Sequence, residues 1–267
     1  MVQKSNILIA SFGSGRGNTL EIKLPNVVDP NPRLIITDEI IGYTCQYIYG
    51  EITDVDYDSI VVPVYKIDLK VKEKIINSFG VTRDSWYSRG VIDDGFIYDD
   101  IELTNRCFEP FDGLVNLFST TPLKYQGIDA FALRQKNNEK LNAEPHTEKM
   151  NTTANGLPID EPRPDLTKAT GVMIHIGGYY HNNKYKKDKL GGSYGCFGFI
   201  PKHQMGSKSK MEEWRKDNSY EKVETSNMAY KKFVDEVVNT RDKSTGKLRV
   251  LIIKRTNVEK YKVLKNQ

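Results

Sequence analysis

Residues Ile174–Ile200 read IHIGGYYHNNKYKKDKLGGSYGCFGFI. This stretch holds two of the chain's four histidines, His175 and His181, and one of its three cysteines, Cys196. Apolar residues lead into it (Val172, Met173, Ile174) and out of it (Phe197, Phe199, Ile200). That pattern predicts two short strands flanking an exposed basic loop. A histidine at the end of one strand and a cysteine at the start of the next are then expected to meet, and their meeting point is the expected active site.

The residue types suit nucleophilic chemistry. A cysteine attacks well when a neighbouring base or backbone N–H groups favour its thiolate. His175 is the natural base. Gly195 precedes Cys196, and without a side chain it lets backbone amides converge on a substrate oxygen. Ser193 is placed to hold the turn through side chain to backbone hydrogen bonds. A histidine that precedes its cysteine argues against the papain-like order.

Seventeen residues separate His175 from Ser193-Tyr194-Gly195-Cys196-Phe197. This resembles the signature of the L,D-transpeptidase catalytic domain: a His, fourteen to seventeen residues, Ser or Thr, then His-Gly-Cys, an apolar residue, and usually Asn or Arg. The expected helix Ser219–Thr240, the turn at Gly246 and the apolar strand Leu248–Lys254 also match the order of elements after that family's cysteine. The resemblance covers roughly 171–255. It implies that Cys196 is the nucleophile, that His175 is its general base, and that the backbone carbonyl of Ile176 orients the base. It further implies that the N–H groups of Gly195 and Cys196 form an oxyanion hole. The implied substrates are peptidoglycan stem peptides, opened through a thioester on Cys196. Water then completes an L,D-carboxypeptidase reaction (a hydrolase), and an amine completes an L,D-transpeptidase reaction (a transferase). No cofactor or metal is implied. Tyr194 stands where the signature has His, and Gly198 where it has Asn or Arg. Substrate binding then falls to Tyr194 and to Lys202, His203 or the lysines of 184–189.

Two further readings of the same residues stay open. One is a member of the fold that has lost catalysis and binds cell-wall peptides or a protein partner. The other is a metal site from His175, His181, Cys196 and His203, whose spacings match no closed zinc site.

The rest of the chain sets the frame. Its 267 residues carry a net charge of +4, divided into +11 for residues 171–267 and −7 for residues 1–170. A basic half around the site would draw in an anionic substrate. No basic run is interleaved with aromatics in a nucleic-acid motif, so no nucleic-acid partner is expected. No apolar run reaches the length of a membrane span. Cys45, Cys107 and Cys196 are widely spaced and odd in number, which argues against a disulfide framework. Cys45 and Cys107 are expected to be buried.

No signal peptide is visible in the sequence. Two routes stay open: a wall-directed enzyme made in the cytoplasm and exported to the periplasm by a dedicated secretion system, as an antibacterial effector, or a cytoplasmic amidase that uses recycled stem peptides. The exported enzyme's expected partners are a component of the secretion machine and an immunity protein.

Strand-like runs fill Asn6–Phe12, Leu20–Leu24, Leu34–Ile36, Gln46–Val55 and Ser59–Leu69. Val71–Phe79 reads as a short amphipathic helix closed by Gly80, and Phe96–Leu103 and Gly127–Arg134 as strands. Residues 135–170 form a polar loop or lid that includes His146. His203–Asn218 reads as irregular. The expectation is a mainly β, α+β protein, with a β-rich N-terminal region over residues 1–70 and an L,D-transpeptidase-like catalytic domain over residues 71–267.

Overall fold

The computed structural model describes residues 7–10, 20–23, 32–50, 59–84, 86–93, 96–105, 109–110, 117–118, 123–134, 141–144, 168–169, 171–193, 195–242 and 248–255. Tyr194, Cys107, His146, Gly246 and most of 135–170 lie outside them.

The described chain is β-rich with two α-helices, an α+β protein. Ten strands and both helices frame the site. They are β1 (Arg33–Tyr47), β2 (Ser59–Val71), β3 (Lys74–Thr82), β4 (Leu123–Tyr125), β5 (Ile128–Arg134), β6 (Met173–Ile176), β7 (Tyr179–Asn182), β8 (Lys187–Leu190), β9 (Phe197–Ile200) and β10 (Arg249–Ile252), with α1 (Lys208–Lys216) and α2 (Asn227–Thr240). One mixed sheet of nine strands runs in the order Leu117–Phe118, β5, β6, β9, β3, β2, β1, β10, with β4 paired to β5. The β6–β9 and β1–β10 pairs are parallel. Among the described residues, four smaller pairings lie outside this sheet: Ile7–Ala10 with Leu20–Lys23, Trp86–Asp93 with Phe96–Asn105 and Tyr49–Gly50, Leu141–Glu144 with Glu109–Pro110 and Lys168–Ala169, and β7 with β8.

Alternation along the strands explains the layering. Ile174, Ile176, Phe197, Phe199 and Val81 share a core with Tyr230, Phe233, Val234 and Val237 of α2. Strand residues repeat every second position on this face, whereas the helix residues repeat every three or four. Phe199 stacks on Phe233 with ring centroids 5.2 Å apart. Each such side chain contributes about 1.5–3 kcal/mol on burial. Among the described residues, no helix is long and apolar enough to cross a membrane.

Three features differ from the sequence reading. Val71–Phe79 is not a helix: Lys72 and Glu73 form a turn, and β3 pairs back along β2 from Val71↔Lys74 to Tyr65↔Val81. The apolar pair that suggested a helix face, Ile75 and Ile76, is nearly half exposed, so strand pairing decided the conformation and not burial of a stripe. Gly80 lies inside this strand, where a Cβ would sit 2.7 Å from Val64 Cγ1. Second, 208–216 is helical; Ser207 caps it by accepting the Lys210 N–H, and Met211 is its one buried residue, which leaves no apolar period to read. Third, α2 starts at Asn227, after a separate 3-10 turn at Ser219–Lys222.

The sequence boundary at residue 70 falls inside the β2–β3 hairpin. β1 and β2 belong to the same sheet as β6 and β9.

Candidate active site

Strands β6 and β9 lie side by side with Ile174 opposite Phe197, His175 opposite Gly198 and Ile176 opposite Phe199. The isoleucines and phenylalanines face the α2 core, so alternation turns His175 and Gly198 to the other face of the sheet. Cys196 sits two positions before Gly198, immediately ahead of β9. Cys196 lies in the turn that enters β9, and the Met173 backbone N–H of β6, two residues before His175, reaches its thiol.

The segment between the strands is not an open loop. β7 and β8 form a hairpin, with Asn182 fully buried and its side-chain oxygen accepting the N–H groups of Lys184 and Tyr185 at the tip. The hairpin is tied back by Gly191 N–H to Gly178 C=O (2.7 Å) and Tyr47 N–H to Gly191 C=O (2.9 Å).

Close backbone packing holds His175 in place. A Cβ on Gly177 would lie 3.0 Å from Gly198 Cα and Phe199 O, and one on Gly198 would lie 2.7 Å from Thr82 Oγ1. Ser226 donates its hydroxyl to the Gly177 carbonyl (2.8 Å), and the Tyr230 hydroxyl donates to Ile174 C=O (3.3 Å). Gln204, also buried, accepts the Tyr179 N–H and donates to the carbonyls of Tyr179 and Glu224.

His175 is 2 % exposed. Its Nδ1 lies 2.6 Å from the Ile176 carbonyl oxygen. A carbonyl only accepts, so Nδ1 carries the hydrogen and Nε2 is left as the basic nitrogen. Tyr125 of β4 stacks on the ring, with centroids 4.2 Å apart and planes 22° apart. Burial pushes the imidazole down to about 4; the Ile176 hydrogen bond opposes this, and the charge of Lys189 adds to it. At neutral pH the ring is therefore uncharged, as a general base must be.

The nucleophile end is a tight turn. Ser193 donates its hydroxyl to the Cys196 carbonyl (2.7 Å) and accepts the Gly195 N–H (3.0 Å). Gly195 has φ +117°, a conformation side-chain-bearing residues avoid. Ser193 and Gly195 thus shape the turn as the sequence suggested. The Gly195 N–H, expected at an oxyanion hole, points instead to Ser193. The Cys196 thiol is half-buried and donates to the Gly171 carbonyl at 3.7 Å. Burial pushes it up to about 11, and the Met173 N–H pulls the other way.

Two residues beside the base were not singled out individually in the sequence. Tyr125 precedes the turn Gln126–Gly127, both of positive φ, and this hairpin signal was the available clue. Lys189 lies on β8 opposite Tyr180, with its ammonium 5.7 Å from the Tyr180 ring centroid. Burial lowers the ammonium's proton affinity, and nearby Lys187 adds to the effect. Among the described residues no carboxylate lies within ion-pair distance of it.

Other expected residues lie elsewhere. Lys202 opens a short 3-10 turn past the far end of β9, up to about 20 Å from Cys196 along an extended chain. His181 pairs with Asp188 across the hairpin (2.6 Å), and His203 contacts the Glu224 carbonyl (2.8 Å). Among the described residues, no group of three His, Cys, Asp or Glu side chains converges to hold a metal. Cys45 is buried against the Met211 carbonyl, and burial pushes its thiol up to about 12. Comparisons with protein-family models, with curated proteins and with solved structures find no match to this chain.

Proposed function

We propose that the protein is a cysteine-dependent acyl-transfer enzyme of L,D-transpeptidase type, acting on peptidoglycan stem peptides as an L,D-transpeptidase or L,D-carboxypeptidase. The observation that carries this reading is the Nδ1–H of His175 donating to Ile176 C=O at 2.6 Å. It leaves Nε2 as the basic nitrogen of a histidine whose strand runs beside the one that Cys196 leads into.

In the proposed reaction, Cys196 Sγ turns from the Gly171 carbonyl toward the imidazole and attacks the scissile amide carbonyl as its proton passes to Nε2. The resulting tetrahedral oxyanion collapses, the C–N bond breaks, and the imidazolium returns the proton to the departing amine. A thioester remains on Cys196. Water or a second amine, deprotonated by the same Nε2, attacks it and restores the thiol. Lys189, whose charge acts on the imidazole, would favour the developing negative charge.

Incubation with purified disaccharide tetrapeptide, with and without a free D-amino acid, followed by mass spectrometry, tests the proposal. Loss of the terminal residue or its exchange is expected, and Cys196→Ala should fold and abolish both. Equal turnover in Cys196→Ala would end the reading. A carbapenem should add its mass at Cys196.

A chain that acts in the periplasm also has to be delivered there. We extend the proposal to an exported antibacterial effector with an immunity partner. Expression in bacteria with a periplasmic signal should be toxic, and without one harmless; a harmless periplasmic form would refute this extension.

A second reading, a non-catalytic binder of cell-wall peptides or a protein partner, is favoured by the raised Cys196 thiol and the engaged Gly195 N–H. Under it, purified muropeptide binds without turnover, and Cys196→Ala binds equally well.

A further inference from the structure

Beyond the far end of β9 from Cys196, a cleft of about 740 Å³ opens between the β2–β3 strands, the turn after β9 and the first half of α2. This lies within the roughly 300–1,000 Å³ of small-molecule sites. Its accessible apolar wall comes from Phe79, Met205 and Ile41, the last 40 % exposed; Phe199 and Ile200 lie behind it in the core. Lys66, Lys202 and Lys232 also line it, and no Asp or Glu does.

The polar groups differ in how far they are already engaged. Lys66 is held by Glu39. Lys232 reaches Glu236 only at 4.0 Å. Lys202 has no carboxylate within ion-pair distance among the described residues. The neutral polar groups have partners: the Asn77 amide donates to Glu236 (2.6 Å), the Ser78 hydroxyl donates to Asp68 (2.5 Å), and a ring nitrogen of His203 contacts the Glu224 carbonyl (2.8 Å). A sugar or nucleoside would therefore find few hydrogen-bond partners, whereas an apolar body would find an aromatic and aliphatic wall. Lys202 and Lys232 are the lining's cations left for an anionic head.

We propose that this cleft binds a small amphipathic anion, its apolar body against Phe79, Ile41 and Met205 and its carboxylate or phosphate on Lys202 and Lys232. The site is separate from Cys196 and does not depend on its chemistry. Burial of the apolar body supplies affinity, and the lysines select the sign of the head group.

Isothermal titration below the micellar concentration tests it with dodecanoate, dodecyl phosphate, dodecanol, dodecyltrimethylammonium and inorganic phosphate. One or both anionic amphiphiles should bind saturably at one per chain, and which head binds tighter identifies the source. Dodecanol and the ammonium amphiphile should bind at least tenfold more weakly, and inorganic phosphate at least tenfold more weakly than dodecyl phosphate. The double variant K202E/K232E, checked by thermal melting for an intact fold, should lose at least tenfold for the anions and nothing for dodecanol. Ala229→Trp should occlude the cleft and reduce all binding. The proposal is overturned if dodecanol or the cation binds as tightly, if inorganic phosphate alone binds as tightly as dodecyl phosphate, or if the charge-reversed protein binds the anions unchanged.

Discussion

Acid should destabilise this fold through His175. The imidazole is buried, and its proton affinity is pushed down to about 4 in the native protein, against an ordinary value near 6.5 in the unfolded chain. The unfolded state therefore binds a proton that the native state rejects between those two values. The contribution to stability is fully present above pH 6.5 and is lost as pH falls toward 4. Between pH 7 and 4.5 the loss amounts to about 2–3 kcal/mol. Urea unfolding of the wild type and of His175→Gln at both pH values isolates this site, because all other titrating groups are common to the two proteins. The stability difference between them should shift by about 2 kcal/mol or more against the wild type at pH 4.5. Parallel loss in both proteins, with the difference constant to about 0.5 kcal/mol, would refute the argument. Imidazole resonances offer a second readout: those of His175 should titrate near pH 4.

Gly198→Ala places a methyl 2.7 Å from Thr82 Oγ1 and should cost about 1–3 kcal/mol; adding Thr82→Ala should recover part of it, which a double-mutant cycle in urea measures. Arg255→Met removes a guanidinium that donates to Asp84 at 2.7 Å where both side chains are 4 % exposed, and should cost about 3–5 kcal/mol in chemical denaturation. Tyr125→Ala removes the ring stacked on His175 and should lower kcat in the muropeptide assay about tenfold or more, whereas Tyr125→Phe keeps the stack and should stay within about threefold of wild type.

The candidate site was legible because its signals are local. A histidine in an apolar run, a serine and glycine ahead of a cysteine, and a second apolar run specify two strands and the turn that feeds one of them. The Ser193 bonds and the positive φ of Gly195 follow from those residue types alone. What was not legible depends on long-range pairing. Ile75 and Ile76 mimic a helix face, and only the register with β2 makes them strand residues with exposed side chains. Helix 208–216 buries a single residue, so its sequence carries no period. Lys202 looked close to Cys196 in the chain, but an extended strand carries the chain away at about 3.3 Å per residue. The distant Tyr125 reaches the base through the β4–β5 hairpin and the β5–β6 pairing.

The electrostatics of the pair bear on how the proposed chemistry would run. A thiol pushed up to about 11 beside an imidazole pushed down to about 4 favours the neutral pair at pH 7. The thiolate–imidazolium form lies above it, by a gap that the attraction between the two charges narrows. Under the proposed reaction no thiolate is formed in advance; proton transfer would accompany attack, when the charge leaving sulfur is passed to the substrate oxygen. Both shifts come first from burial, so a substrate that brings polar groups or water next to Sγ and Nε2 narrows the gap on binding. Lys189, itself half-buried and close enough to act on the imidazole, disfavours imidazolium while it would favour an oxyanion or a carboxylate. Its charge therefore works against the idle ion pair and for the loaded complex. That asymmetry suits an enzyme whose thiol stays unreactive until an anionic acyl donor is seated.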